Sequence, residues 1–182
     1  FAKYWMHNAF LNIDNRKMSK SAGNFFTVRE IIEKYDPQVL RFFMLSAHYR
    51  SPLNFSAELM DAAKNGYDRI VTSVSNLKYL LENATSDTMS EEEKKLAEEA
   101  KGFTAKFDEA MDDDFNTADA IAAIFELVKF VNTNTDAESS REYLSSLKEE
   151  LVMLSDICGL LVEKKQEMLD SDIEALIEER QA

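Results

Sequence analysis

The chain has 182 residues, 45% of them apolar, with four glycines and two prolines, a globular composition poor in helix breakers and expected to be mostly helical. No apolar run approaches a membrane span, and a lone cysteine, Cys158, excludes an internal disulfide and fits a reducing, cytoplasmic setting. The net charge of −13 is uneven: Phe1 to Ser56 holds eight Lys and Arg against four Asp and Glu, and Ala57 to Ala182 holds 13 against 30, so only the first part can attract phosphate broadly.

Tyr4 to Ile13 is rich in aromatic and apolar residues and runs into Asp14-Asn15-Arg16, which reads as a strand entering a turn. Phe25-Phe26 reads as a second short strand. Thr27 with Glu30 forms a capping box for a helix to about Tyr35. Asp36-Pro37 starts the next helix, with Asp as cap and Pro at the first helical position. Its apolar face is Val39, Leu40, Phe43, Met44 and Ala47. Ser51 to Phe55 is an extended link, and Ser56 caps the long helix after it.

From Ser56 onward the pattern is helical. Leu59, Ala63, Tyr67, Ile70, Val74, Leu77 and Leu81 form one stripe. Asn83 to Met89 is a polar loop, and Ser90 with Glu93 forms a second capping box. Leu96, Ala100, Phe103, Phe107 and Met111 form the next stripe. Asp112 to Asn116 interrupts it, Thr117 is the expected cap, and Phe115 is expected to plug the core. Ile121, Ile124, Phe125, Val128 and Val131 come next, then a polar loop from Asn132 to Ser140. Leu144, Leu147, Leu151, Leu154, Ile157 and Leu161 make the fourth stripe, with Cys158 beside it as a small buried apolar residue. Four amphipathic helices joined by short loops bury all their stripes in an antiparallel bundle. Ile173, Leu176 and Ile177 hint at a fifth helix. The chain starts at Phe1 and stops inside a helical pattern, so it is read as a fragment.

The sharpest chemical signal is Lys17-Met18-Ser19-Lys20-Ser21. Two ammonium groups three positions apart, with hydroxyls between them, make a compact site for a polyanion. Ala22-Gly23 keeps the following backbone small. Asp112-x-Asp114-x-Asn116 invites a calcium reading. It lacks the glycine and the bidentate glutamate of an EF-hand, with Thr117 and Ala123 in their places.

Lys-Met-Ser-Lys-Ser resembles the signature loop of class I aminoacyl-tRNA synthetases. Its surroundings resemble the cysteinyl-tRNA synthetase family: Tyr4-Trp5-Met6-His7-Asn8 before it, Gly23-Asn24-Phe25-Phe26-Thr27 after it, then His48-Tyr49-Arg50-Ser51-Pro52-Leu53-Asn54-Phe55-Ser56. Met111-Asp112-Asp113-Asp114-Phe115-Asn116-Thr117 resembles the start of the family's helical domain. The resemblance is dense before Ser56 and thinner after it. It implies a mainly α chain. Residues 1–26 would be the end of a Rossmann-type catalytic domain, 27–56 a stem-contact-fold connector, 57–163 a helical bundle of the anticodon-binding type, and 164–182 a helix leading to a further module.

The chemistry implied is attack of the cysteine carboxylate on the α-phosphate of ATP, held with Mg2+, followed by transfer of the cysteinyl group to tRNA(Cys). The resemblance assigns Lys20 to the leaving pyrophosphate, and Lys17 reads as an auxiliary phosphate contact or a loop anchor. Ser19 and Ser21 shape the loop, and Met18 anchors it. His48, Tyr49 and Arg50 are candidates for a tRNA contact, weighed evenly against a structural corner joining two domains. The family's His-x-Gly-His nucleotide loop has no match. Its Zn2+ ligands belong to upstream segments, so His7 and His48 are not expected to bind metal, and the chain alone is expected to be inactive. Two rivals are a cysteine-activating ligase with a small amine acceptor and a non-catalytic helical interaction module.

Overall fold

The computed structural model describes residues 1–13, 16–19, 21, 23–24 and 26–163. Lys20, the proposed fifth helix and the whole of 164–182 lie outside the described residues. Among the described residues nine elements succeed one another: β1 (Leu11–Ile13), β2 (Arg16–Lys17), α1 (Val28–Ile32), α2 (Pro37–Leu45), β3 (Leu53–Phe55), α3 (Ala57–Asn83), α4 (Glu91–Asp112), α5 (Thr117–Asn134) and α6 (Arg141–Ile157). The chain is mainly helical, with one small sheet at the end that carries the lysine loop.

The sheet has the order β2-β1-β3, with β1 antiparallel to β2 and parallel to β3. The strand expected from Tyr4 to Ile13 is shorter than its sequence pattern. Only Leu11–Ile13 finds neighbours on both sides, while Phe1, Tyr4, Trp5, Met6 and Phe10 stay exposed. Apolar alternation alone does not make a strand, because the ladder needs partners. Phe26 likewise lies outside the ladder, and Phe25 outside the described residues.

Helix starts follow the local chemistry closely. Thr27 and Glu30 exchange hydrogen bonds in a full capping box, as do Ser90 and Glu93. The Asp36 carboxylate accepts from the Gln38 N–H with Pro37 at the first helical position. Helix α1 stops at Ile32, short of the expected Tyr35, and α5 runs on to Asn134. The cap of α5 is Asn116 rather than Thr117; its carboxamide oxygen accepts from the Asp119 N–H at 3.2 Å. An Asn carbonyl is at least as good a cap as a Thr hydroxyl.

Helices α3 to α6 form the bundle. Successive helices alternate in direction, but α3 and α4 lie on a diagonal and do not form a hairpin. Helix α4 packs antiparallel along α5, and α3 antiparallel along α6. The other two sides are parallel. The ring of Phe125 on α5 lies against Gly66 on α3 and Asn132 against Ser73, while Glu93 and Glu150 meet Ser140 and Thr104 across α4 and α6. The loop between α3 and α4 makes this possible by crossing the start of α6: Ser86 and Asp87 carbonyls accept from Arg141 and Glu142 N–H groups, and the Arg141 guanidinium donates to the carbonyls of Leu81 and Ala84.

The core matches the expected stripes in their middles and departs from them at their ends. Ala63, Ile70, Val74, Leu77, Ala100, Phe107, Ile121, Ile124, Val128, Leu144, Leu147, Leu151 and Leu154 are buried. Met60 takes the inner place expected of Leu59, and Phe42 that expected of Met44; Leu59 and Met44 face out. At the end of α6 the phase changes. Cys158 caps the helix and Gly159 takes φ 66°; Gly159 N–H donates to Asp156 and Leu160 N–H to Ser155, a Schellman ending. The helical period stops there, so Leu160 and Val162 turn inward while Ile157 and Leu161 stay outside. Phe115 also faces out, 52% exposed, because Asp114 and Phe115 both take positive φ, 58° and 55°, in the turn from α4 to α5.

Phe107 and Leu151 are 1% and 0% exposed in mid-bundle. Truncation to Ala should cost about 3–5 and 2–5 kcal/mol respectively, read by urea unfolding. Losses below about 1 kcal/mol would mean that the core relaxes around the deletion.

Burial pushes the Cys158 thiol from 9.0 up to about 11. A folded pKa raised above the unfolded one contributes stability that is complete below about pH 9 and is lost as pH rises through 11. Stability should therefore fall across that window, and Cys158→Ala should flatten this part of the profile in unfolding curves taken at several pH values.

Candidate phosphate-binding loop and its supporting corner

Strand β2 ends at Lys17, and the Met18 N–H donates to the Leu11 carbonyl at 3.0 Å, extending the ladder by one residue. Met18 is half-buried, consistent with an anchor under the loop. Beyond it the backbone has left the sheet, and its polar groups need other partners. Asn24 supplies them. Its carboxamide oxygen accepts from the Ser19 N–H at 3.0 Å, and its amide nitrogen donates to the Lys17 carbonyl at 3.4 Å. One side chain thus closes the loop across five and seven residues. Gly23 provides the return at φ 68°, where space for a side chain is open but the backbone angle favours glycine.

The described loop residues lie close together. The hydroxyls of Ser19 and Ser21 are 3.3 Å apart. The Lys17 ammonium sits over the Phe10 ring, 3.7 Å from its centroid. Lys20, the principal candidate, lies outside the described residues. Sequence reasoning missed Asn24 and Phe10 as parts of this site. Asn24 stood in the Gly23-Asn24 flank, and its amide chemistry was the available signal.

Behind the sheet, His48, Tyr49 and Arg50 converge on Asp114 in the α4–α5 turn. The Tyr49 hydroxyl donates to Asp114 Oδ1 at 2.8 Å and accepts from Arg50 Nε at 3.0 Å. Arg50 Nη2 lies 2.9 Å, and His48 Nε2 3.6 Å, from Asp114 Oδ2. The imidazole of His48 stacks on the Tyr49 ring, centroids 4.8 Å apart. The Tyr49 hydroxyl and the Asp114 carboxylate hold the Arg50 guanidinium above its ordinary pKa. These contacts tie the 48–50 stretch to the turn between α4 and α5. His7 stacks instead on Trp5, 6.2 Å between centroids.

Among the described residues no three His, Cys, Asp or Glu side chains gather to hold a metal. Cys158 is buried in the bundle. Among the described residues, no helix is long and apolar enough to cross a membrane.

Residues 1–65 match the family described as tRNA synthetases class I (C) catalytic domain, and residues 106–162 match the DALR domain. The first matched stretch holds the lysine loop and its sheet, and the second holds α5 and α6. A solved structure of the agnB2 LeuRS from Agrobacterium radiobacter K84, in a ternary complex with tRNA and LeuAMS, shares the fold, with TM-score 0.65 and 18% identity over 91% of this chain and 24% of that one. This chain is also similar in sequence to cysteine–tRNA ligases. It is 62% identical over its whole length to the cysteine–tRNA ligase of Lachnospira eligens and 52% identical to that of Lachnoclostridium phytofermentans. It spans 38% and 40% of the lengths of those relatives.

The Asn24 staple has a direct readout. Asn24→Ala removes the acceptor of the Ser19 N–H, a bond worth about 0.5–1.5 kcal/mol, so exchange of that amide should speed up by about two- to tenfold. Unchanged exchange, followed by NMR, would remove Asn24 from the loop's support.

Proposed function

We propose that this chain is the loop-bearing and tRNA-side part of a cysteine–tRNA ligase, which activates cysteine with ATP and passes it to tRNA(Cys). The observation that carries the reading is the 62% identity to a cysteine–tRNA ligase across the entire chain, whose own sequence contains the Lys17 to Ser21 motif. The proposed division follows the chemistry. Residues 1–26 bring the phosphate loop, 27–56 form the connector and 57–163 face the tRNA. A small-amine ligase is not favoured, since both relatives are named for tRNA and a DALR domain matches the bundle. A cytoplasmic setting agrees with the single buried thiol.

In the proposed reaction the cysteine carboxylate attacks the α-phosphate of ATP, and negative charge builds on the departing pyrophosphate. A cation aimed there stabilises the transition state more than the ground state. Lys20 has that role in this reading. Lys17 makes an auxiliary contact, and Ser19 and Ser21 hold the loop's shape. Mg2+ arrives with the ATP phosphates. Zinc would bind the substrate thiol; among the described residues no ligand set for it is gathered, and no step is assigned to it. His48, Tyr49 and Arg50 border the proposed tRNA side, with their polar groups turned to Asp114.

The test is single-turnover kinetics in the full-length enzyme carrying this segment. Lys20→Ala should slow adenylate formation by about 10²–10³-fold, or about 2.7–4 kcal/mol, with a smaller effect on ATP affinity. Lys20→Arg should not restore full activity, because a planar fork replaces a point charge. Transfer from preformed cysteinyl-adenylate to tRNA should be much less affected. Loss of ATP affinity alone, or equal slowing of both steps, would overturn the assigned role. Absence of cysteine-dependent pyrophosphate exchange in the unsubstituted enzyme would overturn the function.

A further inference from the structure

We infer that Asp114, from the turn between α4 and α5 in the helical bundle, is a positioning residue for the lysine loop, acting through Tyr49 and the strand β1 on Lys17. This rests on the function proposed above.

The backbone comes first. Asp114 and Phe115 are the only non-glycine residues with positive φ among those described, at 58° and 55°. Such a conformation costs about 1–2 kcal/mol per L-residue relative to the right-handed region, more readily met by Asp than by Phe. The turn also leaves the Phe115 ring half outside the core. The left-handed pair ends α4, with the Phe115 and Asn116 N–H groups donating to the Met111 and Ala110 carbonyls. The same conformation aims one carboxylate at three side chains 64 to 66 positions earlier in the chain.

The contacts continue from there. Asp114 accepts from the Tyr49 hydroxyl at 2.8 Å and lies 2.9 Å from the Arg50 guanidinium. The Tyr49 carbonyl accepts from the Ala9 N–H at 2.8 Å, and the Phe10 carbonyl from the Leu53 N–H at 3.2 Å. The corner 48–53 therefore holds the two residues that precede β1. The second of these, Phe10, carries the Lys17 ammonium on its ring at 3.7 Å. Strand β1 also pairs with β2 at Asn12 and Lys17. Asp114 thus reaches Lys17 by two short routes, through the Phe10 ring and through the β1–β2 ladder. The apolar seat of α2 on the bundle is separate from this run, so the fold does not depend on Asp114 for its gross docking.

The experiment is a double-mutant cycle in the full-length enzyme, read by cysteine-dependent pyrophosphate exchange without tRNA. Asp114→Ala should lower the exchange rate on the order of tenfold, within the roughly hundredfold that a 1 Å misplacement can carry. In a Lys17→Ala background the same change should have an effect below about twofold, since residues acting through one another are not additive. Hydrogen exchange of the Ala9 and Met18 amides should rise in Asp114→Ala, independently of activity. Asp114→Asn, which keeps an acceptor for Tyr49, should fall between the two and serves if the Ala variant does not fold. Equal effects of Asp114→Ala with and without Lys17, or unchanged exchange at Ala9 and Met18, would overturn the inference. An unsubstituted enzyme without exchange activity would instead overturn the proposed function, while the amide measurement still tests the contact run.

Discussion

Helix α2 is the element on which the arrangement of the molecule depends. It is nine residues long and buries Val39, Phe42 and Phe43. Phe42 enters the bundle, edge-on to Phe125 with centroids 6.1 Å apart, and lies so close to Gly66 that an added Cβ there would fall 2.9 Å from its ring. Phe43 turns to the sheet and meets Phe55 edge-on at 5.8 Å. One short helix therefore seats the sheet and the bundle against the same pair of rings. Burying two Phe side chains is worth about 1.5–3 kcal/mol each relative to exposure, and close packing makes the register steep. Gln38 on the same helix accepts from the Leu161 N–H, so α2 also grips the chain as it leaves the bundle.

The parts legible in the sequence are those whose causes lie within three or four residues. Thr27 with Glu30, Ser90 with Glu93 and Asp36 before Pro37 marked helix starts, because cap and partner lie within a single turn. The middles of the stripes were equally legible, since a helix fixes which side chains share a face. Stripe ends were not. Leu59 and Met60 differ by one position, and only the shape of the neighbouring helices chooses Met60. At the other end, Gly159 reverses the chain, and the periodicity that pointed to Ile157 and Leu161 no longer applies. Phe115 was misplaced for a similar reason: two left-handed residues redirect its ring, and nothing local announces them.

The site divides along the same line. The Lys17 to Ser21 motif is contiguous and announces its chemistry. Its supports are not contiguous. Asn24 acts across five residues and Asp114 across 65. Several acids of the bundle lie in exposed pairs of small energetic weight: Glu91 with Lys94, Glu98 with Lys101, and Asp68 with Lys64. Asp114 shares their composition and differs only in where the backbone sends it. Net charge was therefore a poor guide to this residue, though a fair one to the basic start of the chain.

The loop's own energetics suit the proposed role, in which Lys17 leaves the Phe10 ring for a phosphate. A lysine ammonium on an exposed aromatic face is held by about 0.5–1 kcal/mol. A charge-assisted hydrogen bond is worth about 1.5–3 kcal/mol. An incoming phosphate can therefore draw Lys17 from Phe10 with little opposition, while the ring keeps the ammonium near the loop until then. The backbone beneath it behaves differently. The Lys17 carbonyl and the Ser19 N–H are held by one carboxamide, and the Met18 N–H by the β1 ladder. A firm backbone and a loosely held cation together give preorganisation without trapping the charge. It follows that substitutions at Phe10 and at Asn24 should differ in kind: the first changes where the ammonium waits, and the second changes the frame from which it reaches.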